Sequence, residues 1–168
     1  ECDFGTYQAS TGQASCDDAD AGYYVDSTGQ TTQIGCAPGT YNPSTGSTSS
    51  AACLDADAGH FTNSWASITQ TECEVGAWQS LTGMTDCYLA NVGYYVDSTG
   101  SVSQTACSSG TYQPNQGEGS CLDADTGYYV ATIAQPSQTA CAAGTYQPDT
   151  TQSSCDDADA GYYVATIA

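Results

Sequence analysis

The stretch Cys107–Ala140 reads CSSGTYQPNQGEGSCLDADTGYYVATIAQPSQTA, and residues 141–168 repeat its first 28 positions with 19 identities. Cysteines at 2, 36, 73, 107 and 141 each open a block of this kind, and those at 16, 53, 87, 121 and 155 each open its second half. Five repeats follow: 1–35, 36–72, a divergent 73–106, 107–140 and a truncated 141–168. A period of about 34 also suits a helical-hairpin repeat, but the blocks are dense in Gly, Ser, Thr and Tyr and show no apolar recurrence at three and four residues. They read as short β-strands and turns. Each half-block carries a Gly, then one or two aromatics, then polar turn residues, so the basic unit is one β-hairpin of about half the period. Gly39, Gly110 and Gly144 are expected where the backbone needs positive φ or a close approach, with Tyr41, Tyr112 and Tyr146 following as packing groups. In Gly-Tyr-Tyr-Val, strand alternation predicts Tyr23, Tyr94, Tyr128 and Tyr162 along one face and Tyr24, Tyr95, Tyr129 and Tyr163 along the other. On this reading the tyrosines form the core, or an aromatic ladder for a ligand.

Composition shows what such a chain cannot rely on. Val, Ile, Leu and Phe together number 17 of 168 residues, and 19 Asp and Glu face no Lys or Arg. That balance is typical of chains that do not fold on an apolar core. Ten cysteines in an even set supply the alternative, a disulfide framework in an oxidising compartment, each bridge contributing about 3 kcal/mol for loops near 15 residues. The cysteines are widely and regularly spaced, no two form a CxxC pair, and the chain has a single His, which is not a zinc pattern. The missing basic residues exclude phosphate-backbone binding to nucleic acid and attraction to anionic lipid headgroups. No apolar run approaches the roughly 20 residues of a membrane helix, so no membrane insertion is expected.

The C-x-x-G-T-Y opening, the second Cys placed as Cys121 is after Cys107, and the following G-Y or G-H-F resemble the cysteine-rich repeats of tumour-necrosis-factor-receptor and ephrin-receptor-like ectodomains. The likeness covers all five blocks. In that family the first Cys of the small module pairs with the Cys at this spacing. The resemblance therefore implies Cys2–Cys16, Cys36–Cys53, Cys73–Cys87, Cys107–Cys121 and Cys141–Cys155. Pairing across the other gaps, such as Cys16 to Cys36, would instead strand Cys2 and Cys155 unless they bond to further repeats. The family carries further closely spaced cysteines that this chain lacks, so an elongated disulfide-stapled rod transfers and receptor function does not. The D-A-D-A-G-Y-Y blocks also resemble repeat-bearing surface proteins of planktonic microbes.

Four loops read D-x-D-x-G: Asp18 and Asp20, Asp55 and Asp57, Asp123 and Asp125, and Asp157 and Asp159. Carboxylates two apart before a Gly begin many calcium loops, although the later acids of an EF-hand are absent. Two readings stand: a weak calcium site, or Asp closing turns through side-chain hydrogen bonds. No cofactor is required by either. The third block has Leu89 and Asn91 in the two Asp places. His60, Phe61, Trp65, Trp78, Leu81 and Met84 fall together in and before it, and Phe61, Trp65, Trp78 and Leu81 are candidates for an exposed contact patch. Drift in a tolerant repeat is the other reading. A lone His60 without a spacing signature offers no triad, and repeated identical acids suit a repeated structural task, so no enzyme is expected. Ser and Thr number 42 and are candidate O-glycan acceptors, while no N-glycosylation sequon is present.

The opening Glu1-Cys2 carries no Met or charged leader, and the last block stops just short of the next register. The chain is therefore expected to be a processed piece, a window of a longer array, or a subunit whose ends meet those of other copies. The sequence as a whole reads as a small disulfide-rich all-β tandem repeat, an elongated rod of short hairpins that self-associates at the cell surface or outside it. Its expected role is a structural component forming or decorating a filament, stalk or surface layer. The alternative is an adhesin or receptor-like ectodomain binding a partner through the aromatic-rich third repeat.

Overall fold

A computed structural model describes residues 1–164. They form nine antiparallel hairpins of two-residue strands, with one short 3-10 turn and no α-helix among the described residues. The hairpins pair Thr6–Tyr7 with Asp17–Asp18, Tyr23–Tyr24 with Ile34–Gly35, and Thr40–Tyr41 with Leu54–Asp55. His60–Phe61 then pairs with Thr71–Glu72, Ala77–Trp78 with Tyr88–Leu89, and Tyr94–Tyr95 with Thr105–Ala106. The last three pair Thr111–Tyr112 with Leu122–Asp123, Tyr128–Tyr129 with Thr139–Ala140, and Thr145–Tyr146 with Asp156–Asp157. Numbered 1 to 9 in chain order, they begin at even intervals along the chain, with one longer step between Thr40 and His60. The extra residues lie in hairpin 3, where Ser50–Ala52 make a single 3-10 turn. Ala52 N–H donates to Ser49 O (3.1 Å) and Cys53 N–H to Ser50 O (3.0 Å). The insertion is thereby absorbed in the loop, and Thr40 still faces Asp55 as Thr111 faces Asp123.

Two-residue strands are not stable alone. Main-chain bonds to later hairpins hold them, in each of two compact units, residues 1–73 with 79–87 and residues 74–78 with those from 88 onward. In the first unit Gly5 N–H donates to Val25 O (2.9 Å) and Gly22 N–H to Asn42 O (2.7 Å), joining each hairpin to the next. The hairpin tip reaches further back: Gly46 N–H donates to Ala19 O (2.7 Å) and Gly83 N–H to Ala56 O (2.8 Å), spanning two hairpins. The second unit repeats both bonds, from Gly76 to Val96 O (2.8 Å) and from Gly117 to Ala90 O (2.9 Å).

Two sets of left-handed residues make this winding possible. One precedes each first strand, as in the turn where Tyr23 N–H donates to Asp20 O (3.0 Å) and Gly22 has φ 86°. That third turn position favours Gly because φ is positive there. The second set sits at the hairpin tips, where Gly12, Gly46, Gly83 and Gly117 are replaced in three hairpins by Ala66, Ala134 and Thr151, all at positive φ. At six of the first set, Gly22 and Gly110 among them, Gly is fixed for a further reason. A Cβ at Gly22 would overlap the Ala66 carbonyl, and one at Gly110 would overlap that of Thr151, whereas a Cβ at Gly12 meets nothing.

The core differs from the expected tyrosine stack. In the Tyr-Tyr pairs of hairpins 2, 6 and 8 both residues are half-buried, and Tyr162 and Tyr163 are exposed. Strand alternation separates an inner from an outer face only where another layer covers one of them. Here the buried positions lie just outside the strands. Cys2, Ala19, Cys36, Ala56 and Cys73 alternate on a first line in the first unit, as Ala90, Cys107, Ala124 and Cys141 do in the second, with the alanines fully inaccessible. A second set follows the first strands from hairpin 2 on, Val25, Asn42, Thr62 and Gln79 in the first unit and Val96, Gln113, Val130 and Gln147 in the second. Small side chains on the first line are what let successive backbones come within hydrogen-bonding distance.

Candidate functional site

The odd-numbered hairpins are closed covalently. Disulfides join Cys2–Cys16, Cys36–Cys53, Cys73–Cys87, Cys107–Cys121 and Cys141–Cys155, with Cα atoms 5.6–5.8 Å apart. Within each, the first Cys is buried among the alternating Cys and Ala positions and the second lies nearer the surface. Repeats 2 to 5 keep the same arrangement whether the two cysteines are separated by 14 or 17 positions.

In the even-numbered hairpins Ala takes the place of the first Cys and Gln the place of the second, and hydrogen bonds close the loop instead. Gln33 Oε1 accepts from Asp20 N–H (2.7 Å) and its Nε2 donates to Asp20 Oδ2 (2.6 Å). Gln70 holds Asp57 in the same way (2.7 Å for each bond), as Gln138 holds Asp125 (2.7 Å for each). In hairpin 6, where Asn91 replaces the Asp, the main-chain bond to Gln104 Oε1 remains (2.7 Å). The second Asp of the D-x-D-x-G motif is thus half of an amide clasp as well as the first residue of a turn. Asp159 makes the same turn, its C=O accepting from Tyr162 N–H (2.9 Å).

The first Asp of each motif has a different task. Asp18, Asp55, Asp123 and Asp157 stand in second strands opposite Thr6, Thr40, Thr111 and Thr145 and are exposed. Asp18 packs beside Gly46 and Asp55 beside Gly83, the tips two hairpins on. The two carboxylates of a motif flank a buried alanine, and no group of three or more His, Cys, Asp or Glu side chains converges among the described residues.

A second amide set pins the disulfide loops from within. Gln113, buried after its strand, accepts from Asn115 N–H at Oε1 (3.1 Å) and donates from Nε2 to Ser120 O (2.7 Å). Gln147 does the same with Asp149 N–H (3.1 Å) and Ser154 O (2.9 Å), and Gln79 with Leu81 N–H (3.1 Å) and Asp86 O (3.0 Å). In hairpin 3, with its longer loop, the shorter Asn42 donates to Ser47 Oγ (2.9 Å) and Tyr23 O (3.0 Å). Both amide sets escape a reading that follows cysteines. Their signal is visible when successive half-blocks are aligned on one another, which places Gln33, Gln70, Gln104 and Gln138 under the second cysteines.

The aromatic candidates separate by position. Phe61 and Trp78 occupy the strand place that Tyr fills in the other hairpins and are half-buried. The Trp78 ring lies 5.8 Å from that of Tyr88 at 48°, and its Nε1, buried, has no hydrogen-bond partner among the described residues. Trp65 and Leu81 sit at hairpin tips and are 69% and 57% exposed. Trp65 borders a groove over the Cys36–Cys53 bridge with Tyr24 and Ile34. His60 Nδ1 lies 3.3 Å from Ala58 O and its Nε2 3.8 Å from Glu72 Oε1. No nucleophile is placed beside it among these contacts.

No protein-family model matches the chain, and no curated protein matches it either. No helix among the described residues is long and apolar enough to cross a membrane. The geometry itself defines a disulfide-bonded tandem-repeat protein, with bridges of the kind formed in oxidising compartments.

Proposed function

We propose that the protein is a structural repeat that forms or decorates an extracellular filament, stalk or surface layer. The observation that carries this reading is the repeated winding within each unit, in which hairpins bond to the next and to the one after it, while covalent and amide clasps alternate. The buried amides and the Asp–Gln clasps are spent on holding the repeat, as a structural task requires. The resemblance to cysteine-rich ectodomain repeats supports the same setting, outside the reducing cytosol. Electron microscopy of the purified protein tests the proposal: uniform fibres or sheets are expected, and isolated particles at every concentration would overturn it.

Divalent cations belong to this proposal at the outward carboxylates Asp18, Asp55, Asp123 and Asp157, where calcium would reduce repulsion between copies carrying a charge of −19 each. Chelation should then unbundle the assemblies, and bundles unchanged in chelator remove calcium from the reading. Exposed Trp65 favours the second reading, an adhesin-like ectodomain, for which single particles that retain a partner through Trp65 are the expected result.

A further inference from the structure

Three grooves recur at the junction between an even hairpin and the disulfide hairpin that follows it. One, of about 460 Å³, is bordered by Tyr24, Ile34, Thr40, Ser50, Cys53 and Trp65. Its counterpart in the fourth repeat, of about 290 Å³, has Tyr95, Thr111 and Cys121 in matching places, with Ser120 supplying a hydroxyl. That in the fifth, of about 270 Å³, has Tyr129, Thr145, Ser154 and Cys155. Each therefore presents a tyrosine wall, the outer sulfur of a disulfide, and Ser and Thr hydroxyls. The Thr hydroxyls donate their protons to the main chain, Thr40 to Ala37 O (2.7 Å), Thr111 to Ser108 O (2.9 Å) and Thr145 to Ala142 O (2.9 Å). Their oxygens keep lone pairs with which to accept.

Charge selects the ligand. The chain carries 19 carboxylates and no Lys or Arg, yet no charged side chain borders any of the three grooves. An anion is repelled by the surrounding field, and a cation finds no counter-charge in the groove and many outside it. What fits is an uncharged molecule with an apolar face for the aromatic ring and hydroxyls for the rim, in a concavity that is partly apolar with a few polar groups. We infer that these grooves bind neutral hexopyranose chains, one sugar-sized subsite per groove, with the Tyr24–Trp65 groove the strongest because it has two aromatic rings. The divergent repeat has Glu74 where the others have Ala37, Ser108 and Ala142, and Ala77 where they have Thr40, Thr111 and Thr145. It is not expected to contribute. The two grooves of the second unit can act together on one polymer, so individually weak contacts gain avidity.

Trp78→Tyr restores the residue found in other hairpins and leaves Trp65 the sole tryptophan, a reporter for the first groove. Titration with cellohexaose, maltohexaose, mannohexaose and chitohexaose should give a saturable change in Trp65 emission with at least one of them. Calorimetry with that sugar should show at least tenfold weaker binding to the first groove in Trp65→Ala, and Tyr95→Leu with Tyr129→Leu should remove the other two sites while leaving the Trp65 signal. Saturable binding of dextran sulfate of equal strength, no response to any neutral hexasaccharide, or binding unchanged in Trp65→Ala would each overturn the assignment.

Discussion

Gln138 stands where a cysteine would stand in the adjoining hairpins, and the exchange shows how one position can be closed by two chemistries. A disulfide restricts the unfolded chain, whereas the Gln138–Asp125 clasp contributes two hydrogen bonds, one of them to a carboxylate, at the protein surface. Gln138→Ala should therefore cost about 1 kcal/mol in urea unfolding, well short of the loss from removing the Cys107–Cys121 bridge, about 3 kcal/mol. Gln113→Leu should cost about 2 kcal/mol despite similar volume, because it leaves Asn115 N–H and Ser120 C=O without their buried partner. The glycines give a sharper contrast. Gly12→Ala should cost about 1 kcal/mol for its left-handed φ alone, while Gly110→Ala, blocked as well by the Thr151 carbonyl, should cost about 3 kcal/mol. Equal losses would mean that the close approach between hairpins contributes nothing. The requirement for positive φ at Gly39, Gly110 and Gly144 could be read from sequence, because a Gly before a strand has few other uses. The carbonyl that a Cβ at Gly39 or Gly110 would overlap belongs to a tip two hairpins further along the chain, and no local pattern announces it.

The single hairpin, half a block long, is the element most openly written in the sequence, since Cys, Gly and Tyr recur at that interval. Its pairing register is held by the Gly turn at one end and by the clasp at the other, not by the length of the tip. Hairpin 3 demonstrates this with its 3-10 turn. Deleting residues 48–50 together with Asn42→Gln should restore the shorter loop of the other disulfide hairpins, and peptide mapping without reduction should still recover Cys36 linked to Cys53. Loss of that link would show that the turn is needed for register. Side-chain placement was harder to foresee. Alternation alone sends one tyrosine of each pair to an interior, but two-residue strands have no covering layer, and burial passes to Ala19, Val25 and their equivalents at the strand ends. Phe61 and Trp78 looked like departures from the repeat because they are rare residues in this chain. In the hairpin they fill an ordinary tyrosine place, and only the tip residues Trp65 and Leu81 stand clear of it.

A chain with 19 negative charges and none to offset them repels itself in the compact state, so its stability should depend on ionic strength in a simple way. The melting temperature should rise as sodium chloride is raised from about 10 mM to about 500 mM, a range over which screening shortens from tens of ångströms to a few. A flat profile would show that the carboxylates are too dispersed to matter. Reduction and alkylation should abolish the near-ultraviolet tyrosine dichroism, because 17 Val, Ile, Leu and Phe residues cannot hold 168 residues together unaided. The alternation of closures also has a mechanical meaning. Under tension a disulfide loop transmits force without lengthening, while a loop closed by Asp and Gln can open and close again. Each interval such as Cys16 to Cys36 stores chain between covalent locks, a reserve of about 65 Å when drawn straight. Pulled from its ends, the protein should yield in a series of small, reversible steps and then stiffen, behaving as an extensible tether with a fixed stop, and single-molecule force spectroscopy would record both the step length and the stop.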